Sequence, residues 1–325
     1  MRQGESGSTF VVSLDLEQAW GTEAARIGRA EAAAYHGVPE AIPRMLDLAE
    51  RYGAGFTWAT VGLLFFDRRD EMFAALPRRR PHYADIGLCP YARMAHVGLD
   101  ERRDPLHFGR SLLRRIRDCP KQEIAGHTFS HYYTLEDGGD PEAFAADLAA
   151  ASAAAATLGV VLRSLVFPRN QVNAAYLPIC RAAGYRSFRG AQDSSLHRSR
   201  PRRAETLWQR AARTGDSYWP IARRGPVNRP VETAGMHNLA ASRFLRPARR
   251  SLRMLDNLQL ARIRGEMRRA AAAGSTFHLW WHPHNFGNDV ADNLAVLESV
   301  LEEYRRLADS AGMRSVTMTD LAAAT

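Results

Sequence analysis

The feature that most constrains the fold of this chain is the alternation of two hydrophobic periods along its length. An apolar, β-branched run from Phe10 to Leu14 reads as a buried strand that ends in Asp15-Leu16-Glu17 and is followed by Trp20-Gly21. From Pro39 to Tyr52 the apolar residues Ile42, Met45, Leu46, Leu48 and Ala49 recur at helical spacing, and Gly53 follows as a stop signal. A second apolar run, GFTWATVG, then reads as the next strand. Strand, helix and strand in this order predict a parallel βαβ unit.

The pattern repeats. Downstream come a helix near 106–118, the strand QEIAGH, an alanine-rich helix over about 141–157, the strand SLVFP, the helix NAAYLPICRAAG and the short strand YRSFRG. A helix over about 257–273, the strand TFHLWWHPH, a long helix around 290–311 and the strand RSVTM complete the series. Repeated β-α units imply either a barrel or a doubly wound sheet. Two stretches break the rhythm: 77–104, rich in Pro, Arg and His, and 190–250, rich in Arg, Pro and Ser. Both are expected as long loop insertions in a single catalytic domain covering 1–325, the second facing substrate and carrying some helix over 203–213.

Composition narrows the function classes. The first residues, MRQGESGST, are polar and lack the apolar core of a secretion signal, so the expected location is cytoplasmic. No stretch approaches the ~18 uninterrupted apolar residues of a membrane span. Cys89, Cys119 and Cys180 are odd in number, far apart and free of C-x-x-C spacing, which suggests neither a disulfide framework nor a cysteine metal site. The formal net charge is +9, yet Lys121 is the only lysine. Arginine in an alanine-rich chain is what a GC-rich genome writes onto tolerant surface positions; a basic face toward a phosphate-bearing or membrane-surface substrate is the other reading. No helix-turn-helix, zinc-finger or RNA-binding signature is visible, so nucleic acid is not an expected partner.

Titratable residues gather where the strands end. Asp15 and Glu17 follow the first strand, His127 and His131 follow QEIAG, Arg169 follows LVFP, and His282 and His284 follow HLWW. Parallel α/β folds build their active sites at the C-terminal ends of strands, so separate strands aim these groups at one place. The i,i+4 spacing of His127 and His131 on one helical turn would set two imidazoles on one face, where they can share a cation. A carboxylate from another strand would complete a three-ligand site with an open position for water. Alternation along the first strand points Glu17 the same way as Asp15 and Leu16 the opposite way.

These residues meet a known pattern. The runs FVVSLDLEQAWG, GHTFSH, VFPRNQVN and FHLWWHPHN resemble, in order and spacing from about residue 10 to 320, the motifs of the NodB-like polysaccharide deacetylases. The resemblance implies a distorted (β/α)7 barrel and a metal-dependent hydrolase, with a divalent ion such as zinc, that removes an N-acyl group from an amino sugar. It implies Asp15 as general base, His127 and His131 as metal ligands, Arg169 as the arginine that holds the base carboxylate, and His282 as general acid. The commonest form of the first motif has two adjacent aspartates. Here Leu16 follows Asp15, so Glu17 is the candidate third ligand. Trp20, Tyr132 and His284 are candidate substrate contacts, and of the pair Trp280-Trp281 one ring should be core. The expected partner is an amino sugar of a surface polysaccharide or its lipid-linked or nucleotide-linked precursor, with peripheral membrane contact open. A non-catalytic carbohydrate-binding protein and an N-deformylase are the alternatives.

Overall fold

The structure is a computed structural model that describes residues 7–21, 29–191, 201, 206–219, 230–248 and 253–325. Its centre is a sheet of β1 (Thr9–Leu16), β2 (Phe56–Thr60), β3 (Glu123–Gly126), β4 (Ser164–Val166), β5 (Ser187–Arg189), β6 (Val231–Thr233), β7 (Met236–Asn238), β8 (Arg243–Phe244), β9 (Thr276–Trp281) and β10 (Arg314–Ser315). The strand order is β6-β7-β5-β4-β3-β2-β1-β9-β8, with β10 beside the start of β1. Every pairing is parallel except that of the hairpin β6–β7.

The sheet curls until its two edges meet in one stretch of chain. At one end of that stretch, Leu239 N donates to Phe188 O and Ala241 N to Gly190 O, beside β5. A few residues on, Ser242 N donates to His278 O and Leu245 N to Trp280 O, along β9. Residues 236–245 therefore act as one broken strand between β5 and β9. Counting them once, the described residues form a barrel of seven staves, as the distorted (β/α)7 expectation requires.

The two faces of the sheet follow from side-chain alternation. On β1, Phe10, Val12, Leu14 and Leu16 point outward into the main apolar core. There they meet α2 (Val38–Tyr52), α4 (Arg110–Asp118), α5 (Pro141–Ala156), α8 (Arg253–Ala272) and α9 (Val290–Ala311). Inside the barrel, Val11, Ala59, Ala125, Val166 and Leu239 form a small apolar layer with Met318 and Leu321 of α10 (Met318–Ala323). The C-terminal helix thus plugs the end of the barrel opposite the strand C-termini. Thr317 and Asp320 form its capping box.

Two sequence expectations change here. The stretch 190–250 is more than a loop insertion, since its described residues supply β6, β7, β8 and α7 (Leu207–Tyr218) and close the barrel. Of the helix expected over 203–213, residues 203–205 lie outside the described residues. RSVTM yields only a two-residue strand before α10. Among the described residues, no helix is long and apolar enough to cross a membrane.

Candidate metal centre

Glu17, His127 and His131 offer three ligand atoms that all lie within 4.8 Å of one another, and all three side chains are buried. Glu17 Oε2 is 2.9 Å from His131 Nε2 and 3.4 Å from His127 Nε2. The protons show what belongs between them. His127 Nδ1 lies 2.8 Å from the carbonyl oxygen of Val166, which can only accept, so the ring proton sits there. Nε2 is then a bare lone pair, buried without a hydrogen-bond partner and facing a carboxylate oxygen. Two lone-pair donors turned toward each other in a dry site call for a cation, and two imidazoles with one carboxylate suit zinc or a similar divalent ion. The residues fit the metal that the motifs imply.

The expected helical turn under the two histidines is absent. GHTFSH is an irregular loop in which Thr128 (φ 61°) and His131 (φ 60°) adopt the left-handed conformation. Asp147 of α5 gathers this loop, accepting hydrogen bonds from Phe129 N at 2.6 Å, Ser130 N at 3.2 Å and the Ser130 hydroxyl. Thr128 Oγ1 accepts from Tyr132 N at 2.7 Å. Each left-handed residue costs about 1–2 kcal/mol, which these bonds offset. On the other side, the Glu17 carboxylate lies against Gly21, where an added Cβ would come within 2.1 Å of it.

Asp15 sits one layer deeper. Its two oxygens receive Arg189 Nη1 and Nη2, both at 2.7 Å, and both side chains are buried. Arg189 Nη1 also donates to Ser13 Oγ, and its Nε and Nη2 donate to Asn170 Oδ1. All five donors of the guanidinium are used. The arginine that holds Asp15 is therefore Arg189 of β5, not Arg169. Left-handed dihedrals at Arg169 (φ 55°) and Asn170 (φ 52°) turn the Asn170 amide inward to Arg189 and leave Arg169 exposed over the Tyr133 ring, 5.6 Å from its centroid. Burial raises the Asp15 carboxyl, but Arg189 outweighs it and holds the group below the usual carboxylate range. Glu17 is held well below its range in the same way: His282 and the neighbouring imidazoles of His127 and His131 overcome its burial. His278, buried beneath with Nε2 2.8 Å from Ser13 Oγ, is pushed down to about 3 and stays neutral.

His282 overlooks both carboxylates, with Nε2 3.8 Å from Asp15 Oδ2 and 3.6 Å from Glu17 Oε1, and 23% of its side chain reaches solvent. His284 stands behind it, rings 5.0 Å apart, against Tyr35 at 4.8 Å. Burial and the neighbouring His282 push His284 down to about 4, so it is a neutral buttress. Two expected substrate contacts are core residues. Trp20 is fully buried because a 3-10 turn at Gln18–Gly21 rolls its ring inward, with Nε1 donating to His107 O at 3.0 Å. Tyr132 is also buried, its hydroxyl donating to Asp140 O and accepting from Asp140 N. Trp280 does border the site, half-buried and 4.2 Å from the Arg189 guanidinium, while Trp281 is core. Arg189 closes the strand YRSFRG, so the strand-end rule that singled out the other groups also points to it.

No family model matches this sequence, and no curated protein sequence matches it. Solved structures do match its fold. A Mycobacterium smegmatis protein assigned as a polysaccharide deacetylase superposes with a TM-score of 0.60 at 16% identity, covering 98% of this chain and 90% of that one. The chain has the polysaccharide deacetylase fold. Two enzymes of other names share the architecture more loosely. The α-amylase AmyC of Thermotoga maritima gives a TM-score of 0.57 at 9% identity, with 98% of this chain and 75% of that one covered. The 4-α-glucanotransferase of Thermococcus litoralis gives 0.54 at 11%, with 98% and 40% covered. At such identities the likeness speaks for the deacetylase fold alone, and the chemistry has to be read from the site.

Proposed function

We propose that the chain is a metal-dependent amide hydrolase that removes an N-acyl group, acetyl in the first instance, from an amino sugar of a surface polysaccharide or its precursor. The observation that carries this is the trio Glu17, His127 and His131, with an unpartnered imidazole nitrogen facing a carboxylate, set directly above the Asp15–Arg189 pair. Glu17, His127 and His131 would hold the ion through the carboxylate and their ring nitrogens. When bound, the metal supplies Lewis-acid polarisation of the amide carbonyl and lowers the pKa of water toward ~7.

The remaining work falls to the chain's own groups. Asp15, oriented by Arg189, takes a proton from the attacking water at its site-facing oxygen. An amine leaves poorly unless protonated, and His282, the partly exposed group within 4 Å of both carboxylates, delivers that proton. Trp280 and Phe244 wall the His282 side of the cleft, their ring centroids 4.6 Å apart, and offer an aromatic face to a sugar ring.

The site argues against glycoside chemistry on the shared fold. Cleaving a glycosidic bond needs a carboxylic acid with a raised pKa to protonate the leaving oxygen. Here both central carboxyls are held below their usual range and committed to cationic or imidazole partners. The test is release of acid from N-acetyl and N-formyl amino sugars, offered free, nucleotide-linked and lipid-linked, to metal-loaded protein. Acetate release that is lost in Asp15→Asn and His282→Gln supports the reading. No acid from any substrate, with metal bound, refutes it and leaves the non-catalytic carbohydrate-binding alternative; formate alone selects the deformylase.

A further inference from the structure

We propose that Arg169 anchors an anionic group, a phosphate or a carboxylate, carried by the substrate of this site. The proposal rests on the amino-sugar reading above and adds a charge to the substrate it takes. The site holds two arginines with opposite fates. Arg189 spends all five donors on Ser13, Asp15 and Asn170 and has none to offer a ligand. Arg169, which follows the preceding strand β4, is exposed and makes no ion pair among the described residues. Its guanidinium lies over the Tyr133 ring at 5.6 Å, and that ring stands edge-on to His131 at 5.0 Å. A guanidinium with no ion-pair partner among the described residues is thus parked beside the metal centre, over the Tyr133 ring that borders His131.

Its place there is built. Arg169 and Asn170 are consecutive left-handed residues, an arrangement that costs about 1–2 kcal/mol each and persists only where the surroundings over-determine it. Asn170 N donates to Phe167 O at 2.8 Å and Gln171 N to Pro168 O at 3.0 Å, while the Asn170 side-chain Oδ1 accepts from Arg189 Nε and Nη2. The turn that supplies Asn170 to Arg189 therefore also fixes where the backbone of Arg169, the residue just before it, aims its side chain. The negative charges of the centre are already matched, Asp15 by Arg189 and Glu17 by the imidazoles and the ion they would hold. Arg169 is surplus positive charge with its planar fork unoccupied, and that fork matches carboxylate and phosphate oxygens bidentately.

The experiment is calorimetric binding of N-acetylglucosamine, N-acetylglucosamine 1-phosphate and N-acetylgalactosaminuronic acid to metal-loaded wild type, Arg169→Ala and Arg169→Lys, with acetate release followed in parallel. An anionic sugar should bind wild type about tenfold or more tighter than the neutral one, the range of charge-assisted hydrogen bonds, and whichever anion gains names the source. The gain should vanish in Arg169→Ala and return in part in Arg169→Lys, with neutral-sugar affinity and the urea midpoint unchanged. Equal binding of neutral and anionic sugars to wild type overturns the proposal. A gain that survives Arg169→Ala overturns it too, because the anion would then be held by the metal. A gain that depends on Arg169 without any acetate release keeps the anchor and refutes only the hydrolase.

Discussion

Removing Arg189 should be far more damaging than removing any other arginine at this site, and its cost should depend on pH. The Arg189 and Asp15 side chains are 0% and 4% exposed, and the pair carries two 2.7 Å hydrogen bonds. Arg189→Met keeps the apolar bulk beneath Trp280 but strands a buried carboxylate, a change that costs about 3–5 kcal/mol at neutral pH. In wild type the Asp15 pKa lies below its ordinary value, so its pairing stabilises the fold above ~4 and is lost on acidification. In Arg189→Met burial goes largely unopposed and the folded pKa rises above the unfolded one. The stranded carboxylate then weakens the fold increasingly as pH climbs through that window, and protonation relieves it in acid. Urea denaturation at pH 5 and pH 8 should show the larger loss at pH 8, and Asp15→Asn in the Arg189→Met background should recover part of it. Arg169→Ala, at an exposed position, should shift stability by less than about 0.5 kcal/mol. A cost for Arg189→Met below about 1 kcal/mol at pH 8, or one equal to that of Arg169→Ala, would refute the assignment of Arg189 as the partner of Asp15.

Other consequences can be measured separately. Glu17→Gln should lower divalent-metal occupancy at a fixed free-metal concentration, read by elemental analysis; unchanged occupancy removes Glu17 from the ligand set. Gly21→Ala puts a Cβ within 2.1 Å of the Glu17 carboxylate and should displace it, so metal affinity should drop while the unfolding midpoint moves little. Glu303 is held down at about 2 by its burial being outweighed by Arg306 and Arg268, so its contribution is present above ~4.5 and fades as pH falls toward 2. Both arginines are more than half exposed, and water screening leaves about 1 kcal/mol for Glu303→Gln at pH 7, shrinking toward zero by pH 2. Asp147→Asn should loosen the GHTFSH loop by about 1–3 kcal/mol, since one amide oxygen cannot accept all three bonds; amide exchange at Phe129 and Ser130 reports it.

The barrel was legible because each long stave carries its own period. Phe10–Leu16 and Thr276–Trp281 are buried on both faces and read as strands without help, and α2 and α9 announce themselves by spacing. The staves β7 and β8 were not legible. They are three and two residues long, and apart from the β6–β7 hairpin the pairings that seat them in the barrel are with β5 and β9, distant in sequence. At the site, strand-end placement identified Glu17, His127 and His131, which the fold brings together, and alternation sent Leu16 to the outer core. Trp20 and Tyr132 misled because proximity in sequence to a motif says nothing of which way a ring turns. A 3-10 turn buries one, and the Asp140 backbone fastens the other.

The spacing of the two carboxylates on β1 explains why the arginine came from an unexpected strand. Adjacent acids at a strand end would face opposite sides of the sheet unless the backbone broke between them. Asp15 and Glu17, one full period apart, both enter the barrel but at different depths, separated by about 6–7 Å of strand rise. The shallower Glu17 meets the histidines of the β3 loop. The deeper Asp15 lies level with the interior of β5, where Arg189 is the last strand residue, and below the reach of a side chain that leaves β4 from the exposed turn at Arg169. Depth thus assigns the partners: the group that must be pinned is held from inside the barrel by an arginine that is fully enclosed, and the arginine at the rim is released for whatever enters the cleft.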